Sequence, residues 1–162
     1  MENLNKTYLL IGGNVGDKLS YLEQAVTLLQ KQCGNIIARS SIYETAPWGN
    51  TDQASFLNQV LELYTKYDAN SLMTRLLSIE EELGRVRQER NGPRIIDLDI
   101  LFFNNEIHTA AKLTIPHKEL QNRRFVLEPL SEIVPLLIHP VLNKSIQQLL
   151  EECTDHSSVK KL

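Results

Sequence analysis

The chain has 162 residues, 42% hydrophobic and 23% charged, enough for one globular domain with a real core. Its net charge of −3 argues against a general nucleic-acid binder, and no apolar run approaches the roughly 20 residues of a membrane span. The polar start MENLNK lacks the basic end and apolar stretch of a secretion signal, so a cytoplasmic protein with reduced Cys33 and Cys153 is expected, with neither membrane nor nucleic-acid partners; a monomer is the default expectation.

In chain order, TYLLIGG (7–13) is a short apolar run ended by glycines and predicts a buried strand. NVGD is a turn. Leu19, Leu22, Ala25, Val26, Leu28 and Leu29 then recur at helical spacing, with Asp17 as the cap and Gly34 as the end. IIARSSIYETAP (36–47) alternates as one second strand, WGNTDQ is a polar loop, and FLNQVLELYT (56–65) is a third strand. A second helix, capped at Asp68 or Asn70, carries Leu72, Leu76, Ile79 and Leu83 on one face. After an arginine-rich loop comes a fourth strand, IIDLDILFF (95–103). Strand, helix, strand, strand, helix, strand is the order of a ferredoxin-like βαββαβ core with an antiparallel sheet, an α+β fold. NNEI reads as a turn, KLTIP as a short strand, and HKELQNRRFVLEPLSEIVP and KSIQQLLEEC as helical, extra C-terminal elements decorating the same core. No repeat or linker divides the chain, and residues 1–162 are expected to form a single domain.

The fourth strand poses the chemical question. Asp97 and Asp99 share one strand face, about 7 Å apart, with Ile96, Leu98, Ile100 and Phe102 expected on the other. Two carboxylates that close repel each other unless a cation sits between them. They suit Mg²⁺ with substrate phosphates, but they equally suit a structural cluster of salt bridges with Arg94 and another arginine.

RVRQERNGPR (85–94) sets four arginines against the single acid Glu89 in an acidic protein. Guanidinium forks bind phosphate oxygens, and Gly92 with Pro93 exclude regular structure, so a loop ordered by an anionic ligand is expected. IPHKELQNRRF adds His117, Lys118, Arg123 and Arg124, of which His117 suits either a helix start or a phosphate contact. GGNVGD is neither a Walker A loop nor a dinucleotide fingerprint and reads as a strand-to-helix turn. ETAPWG and SFLNQ gather Thr45, Trp48, Phe56 and Asn58 around one polar loop, a set suited to a flat polar heterocycle, although Phe56 at a strand start also suits a core position. An RNA-recognition sheet would need an aromatic string of the K-G-F-G-F-V kind, which is missing.

Taken together and in order, LIGGNVGD, SSIYETAPWG, FLNQV, EEELGRVRQERNGPRIIDLDILFF, LTIPH and NRRFVLEPL resemble the 6-hydroxymethyl-7,8-dihydropterin pyrophosphokinases of folate biosynthesis. The resemblance runs from about Leu9 to about Pro140. It implies a ferredoxin-like fold and transfer of pyrophosphate from ATP to the pterin's hydroxymethyl oxygen, with AMP released. It implies two Mg²⁺ on Asp97 and Asp99, catalytic roles for these and for Arg85 and Arg94, and an ATP site drawn from Glu80, Arg85, Arg87, Arg94, Lys112, Thr114, His117, Lys118 and Arg123. For the pterin it implies Phe56 and Phe125 on the two ring faces, with Thr45, Ala46, Trp48, Asn58 and Asp97 around the edge. Gln88, Asn91, Lys112 and Lys118 depart from the residues common at those places, which bears on the loop and the nucleotide more than on the metals. The length leaves no room for the partners fused to such enzymes in some organisms, so a monofunctional enzyme is expected.

Overall fold

The computed structural model describes residues 3–47, 52–85 and 93–162. Strand β1 (Asn5–Gly13) is central, flanked by β5 (Asp97–Phe103) on one side and β4 (Phe56–Thr65) on the other, both antiparallel to it. Along the far edge of β4 lie β2 (Asn35–Arg39) and β3 (Tyr43–Thr45), and beyond β3 lies the C-terminal β8 (Val159–Lys161). With α1 (Lys18–Gln32) after β1 and α2 (Ala69–Glu82) after β4, this is the expected βαββαβ arrangement with an antiparallel sheet. A hairpin of β6 (His108–Ala110) and β7 (Leu113–Ile115), a short 3₁₀ turn at Leu120–Asn122, α3 (Arg124–Ile133) and α4 (Ile146–Glu152) complete the described residues. Among the described residues no helix is long and apolar enough to cross a membrane.

The helices begin where their caps allow. Asp17 accepts from the Ser20 amide at 3.1 Å and Asp68 from the Ser71 amide at 2.7 Å, each satisfying an N–H that the first turn leaves without a partner. Leu22, Ala25 and Leu29 of α1, and Leu72, Leu76 and Ile79 of α2, then fall on one side and pack with Leu9, Ile11, Leu61 and Leu63 of the sheet. A second apolar cluster fills the opposite sheet face, where Tyr8, Leu10, Val60, Leu101 and Phe102 meet Val126, Leu127 and Leu130 of α3 and Ile146 and Leu149 of α4. The C-terminal helices therefore build a core layer of their own. An antiparallel sheet commonly leaves one face to water; here both are covered, which is why β1 reads as an unbroken apolar run.

Two strands depart from the simple alternation. On β5, Leu9 pairs with Ile100 but Tyr8 pairs with Phe102, so Leu101 is an extra, bulged residue. The expected face of Phe102 is corrected by this bulge. Ile96, Leu98 and Ile100 point to the α1/α2 side, but Phe102 lies with Leu101 on the other side and Phe103 takes the place expected for it. The expected single strand over 36–47 is two. Ser40 interrupts it, its hydroxyl accepting from the Val60 amide at 2.9 Å, and Glu132 of α3 accepts from the amide and hydroxyl of Ser41 and from the Tyr43 hydroxyl. These side-chain bonds replace part of the ladder, and β2 and β3 resume on either side of them.

Candidate active site

The parity of β5 decides where the chemistry lies. Asp97 pairs with Gly12 and Asp99 with Leu10, so both carboxylates are on the α3/α4 side of the sheet, at the end that those helices leave open. There they line a cleft of about 540 Å³, its open mouth included, with Leu10, Gly12, Thr45, Ala46, Phe56, Asn58, Arg94, Arg123 and Phe125.

Asp97 is the hub of the charged side. Its Oδ1 lies 2.7 Å from Arg85 Nη1 and its Oδ2 3.3 Å from Arg94 Nη1. The same Arg85 nitrogen is 2.9 Å from Oε1 of Glu80, a residue only 3% exposed, whose Oε2 accepts from the Leu98 amide at 2.7 Å. Glu80 thus fastens the end of α2 to the start of β5 and holds Arg85 against Asp97. Burial alone would lower the basicity of Arg85, and the Asp97 and Glu80 carboxylates more than offset it. Asp99 opens onto the cleft within dense surroundings; that burial, then Asp97 and then Glu80, push its carboxyl well above the usual range. Arg123 lines the same cleft and also interacts with Asp97 and Asp99, so three guanidinium groups surround these three acids.

Arg94 is aimed by its backbone. Its amide donates to Asn14 Oδ1 at 2.8 Å, its carbonyl accepts from the Asn14 amide at 2.9 Å, and Asn14 Nδ2 reaches Ala54 O and Gln53 Oε1. The approach is so close that a Cβ on Gly13 would come within 2.2 Å of Ile95 O, and one on Gly12 within 2.1 Å of Asn58 Oδ1 and 2.9 Å of Leu57 O. The run GGN, read from sequence as a plain turn, is a contact surface: Gly12 forms cleft floor and Asn14 clips the start of the acidic strand.

The other half of the cleft is apolar and amide-lined. Phe56 opens β4, Phe125 stands in the first turn of α3, and between these aromatics Asn58 Nδ2 donates to Thr45 Oγ1 at 2.7 Å. Arg123 stands 5.8 Å from the Phe125 ring, between the aromatic and charged halves. His117 is half-buried just after β7, its amide donating to Leu101 O at 3.1 Å; burial and then Arg123 lower its pKa, so it is neutral at pH 7. Lys112, Thr114 and Lys118 are exposed on or beside the β6/β7 hairpin and do not line the cleft. Trp48, Arg87 and most of the arginine loop lie outside the described residues.

The model of the 7,8-dihydro-6-hydroxymethylpterin-pyrophosphokinase family matches residues 8–135. The chain is 46% identical over 130 residues to the 2-amino-4-hydroxy-6-hydroxymethyldihydropteridine pyrophosphokinase of Bacillus subtilis, covering 80% of this chain and 78% of that protein. It is 37% identical over 147 residues to the protein of the same name from Aquifex aeolicus, covering 91% of each. The folic acid synthesis protein fol1 of Schizosaccharomyces pombe is 40% identical over 146 residues, 90% of this chain but 20% of that protein. Among solved structures, a Plasmodium falciparum HPPK-DHPS superposes with a TM-score of 0.79 at 21% identity, over 93% of this chain and 42% of the other, a likeness of fold. The chain therefore spans less than half of that fused protein and most of the bacterial ones. On the strength of the family match and these relatives, the chain belongs to the 7,8-dihydro-6-hydroxymethylpterin-pyrophosphokinase family.

Proposed function

We infer that this chain transfers the pyrophosphoryl group of ATP to the hydroxymethyl oxygen of 6-hydroxymethyl-7,8-dihydropterin, giving the pterin diphosphate and AMP, a step of folate biosynthesis. The observation that carries the reading is one cleft with two unlike halves: two carboxylates and arginines at one end, an aromatic pair with an amide and a hydroxyl at the other. The first half suits a phosphate chain and the second a flat polar heterocycle.

Two hard oxygen donors opening on the cleft from one strand face, whose mutual repulsion a bound cation would relieve, fit Mg²⁺. Asp97 and Asp99 would hold two such ions, which when bound neutralise phosphate charge and lower the cost of building it up. Arg85 and Arg94, each paired with Asp97, would reach phosphates entering the same end. Exchanging a shared carboxylate for phosphate oxygens keeps both guanidinium forks satisfied while Asp97 is released. Arg123 and His117 would extend the phosphate-binding set, and the family resemblance adds Lys112, Thr114, Lys118 and Arg87 to it. Glu80 contributes through Arg85, which it orients.

Phe56 and Phe125 would hold the ring by its faces, and Asn58, Thr45 and Ala46 would read its edge; the family resemblance adds Trp48 to this set. That arrangement aims the substrate hydroxyl toward Asp97 and the β-phosphorus. The work of the protein is positioning and electrostatics, as in other phosphoryl transfers, and no side chain is assigned as general base.

The test is the nucleotide product. Incubation with Mg-ATP and the reduced hydroxymethylpterin should release AMP in step with pterin diphosphate. Accumulation of ADP and a pterin monophosphate would overturn the reading, since attack at the γ-phosphorus breaks a different bond.

A further inference from the structure

The family match ends at residue 135, yet the last ten residues reach back to both walls of the heterocycle half of the cleft. On one wall, β8 pairs with β3, Val159 opposite Thr45, and Ser158 O accepts from the Ala46 amide at 3.2 Å. On the other, Asp155 Oδ2 accepts from the Arg124 amide at 3.0 Å. Arg124 is the first residue of α3, and its own N-cap, Arg123, has no side-chain cap bond, so the carboxylate of Asp155 supplies from a distance the acceptor and negative charge that a helix start favours. Ser157 donates its amide and hydroxyl to the other oxygen, Asp155 Oδ1, at 2.9 and 2.5 Å. Burial alone would raise the Asp155 pKa, but these donors, the Arg124 amide and the Arg124 charge hold it below the usual carboxylate range.

We propose that Asp155 is a positioning residue. With Ser157 and β8 it forms a C-terminal strap that sets the distance between the Thr45/Ala46 wall and the Arg123–Phe125 wall, and hence the fit of the heterocycle. It touches no reacting atom. Its lever is the first turn of α3, where Phe125 stands two residues after Arg123. Only two residues, His156 and Ser157, lie between Asp155 and Ser158, too few for the two attachments to move independently. The inference rests on the function proposed above, because the ligand whose fit is set is the pterin.

The experiment compares Asp155→Ala, Asp155→Asn and Ser157→Ala with the unaltered chain, measuring dissociation constants for the hydroxymethylpterin and, separately, for a non-hydrolysable ATP analogue with Mg²⁺, together with steady-state KM and kcat. Asp155→Ala should weaken pterin binding about tenfold and the ATP analogue no more than about threefold, since Arg123 alone of the proposed phosphate contacts is on the braced turn. Asp155→Asn keeps an oxygen for the Arg124 amide and should recover most of the loss. Ser157→Ala leaves the carboxylate in place but frees its aim, and should give a smaller loss in the same direction; it stands as the test if Asp155→Ala does not fold. Equal loss of both ligands, or no loss of either in a folded variant, overturns the proposal. Failure of the unaltered chain to bind the pterin or make AMP would instead overturn the proposed function, a result separable from the first.

Discussion

Arg85 Nη1 lies 2.7 Å from Asp97 Oδ1, locking the residue that enters the arginine loop to the first residue of the acidic strand. The pair is charge-assisted and partly buried, with side-chain exposures of 11% and 23%.

Asp97→Asn and Asp99→Asn should each lower turnover at least about a hundredfold while the chain stays folded. Asp99 carries the sharper expectation. Its folded pKa is raised, so the ionised form costs stability at pH 7, and the amide should leave the Tm unchanged or higher. Steady-state rates at saturating Mg²⁺ beside a melting curve check both halves. Near-normal turnover would sink the metal assignment.

Phe125→Ala should raise the pterin dissociation constant about tenfold or more, given roughly 1–3 kcal/mol for stacking on one aromatic, and disturb ATP binding far less. Titration of each ligand alone separates the two. Equal losses would make Phe125 a packing residue of the second core, which it also touches.

Gly12→Ala and Gly13→Ala should fail differently. The Gly13 Cβ would strike the backbone at Ile95 O, which cannot move without shifting the start of β5, so a stability loss of about 1–3 kcal/mol is expected. The Gly12 Cβ meets chiefly the end of the Asn58 side chain, so pterin affinity should fall more than stability, although Leu57 O at 2.9 Å adds some strain. Denaturant unfolding and pterin titration of the two variants give the comparison.

His139 gives the protein a pH dependence remote from the cleft. It is buried, edge-on to Phe102 at 5.6 Å, and Nδ1 accepts from the Val141 and Leu142 amides at 3.2 and 3.1 Å. Burial lowers its pKa below the ordinary value near 6.5, so the unfolded chain takes up the proton first. The associated stability is complete above about pH 6.5 and is lost as pH falls through the folded pKa. His139→Asn should give a shallower loss of Tm between pH 7 and pH 5.5. The lowered carboxylates Glu132 and Asp155 act at lower pH and should leave that window unchanged.

The order of elements was legible because each carries its own local signal: Asp17 and Asp68 as caps, one-sided leucines on α1 and α2, apolar runs for the strands. The bulge at Leu101 was not. A bulge is the response of one strand to its partner, and nothing in LDILFF distinguishes it from straight alternation. Nor was β8, since VKK has little of a strand's pattern and exists as one only against Tyr43–Thr45. Thr45, Ala46, Phe56, Asn58, Phe125, Asp97 and Asp99 line one cleft; the local pattern of residues singled out Thr45, Phe56, Asn58 and the aspartates, whereas Ala46 and Phe125 came only from the family resemblance. The fastenings around them were hidden. Glu80 to the Leu98 amide spans 18 residues, Asn14 to Arg94 spans 80 and Asp155 to Arg124 spans 31, pairings that only a folded chain reveals.

The bulge at Leu101 also has a mechanical meaning. It stands between the aspartates and the two phenylalanines of the same strand, and so acts as a slip joint. The extra residue lets Phe102 and Phe103 settle against opposite layers without dragging Asp97 and Asp99 out of register with Gly12 and Leu10. Repacking of the α3/α4 layer around Phe102 should therefore be tolerated by the acidic end, whereas loss of Leu101 would force the whole strand to choose between its two halves.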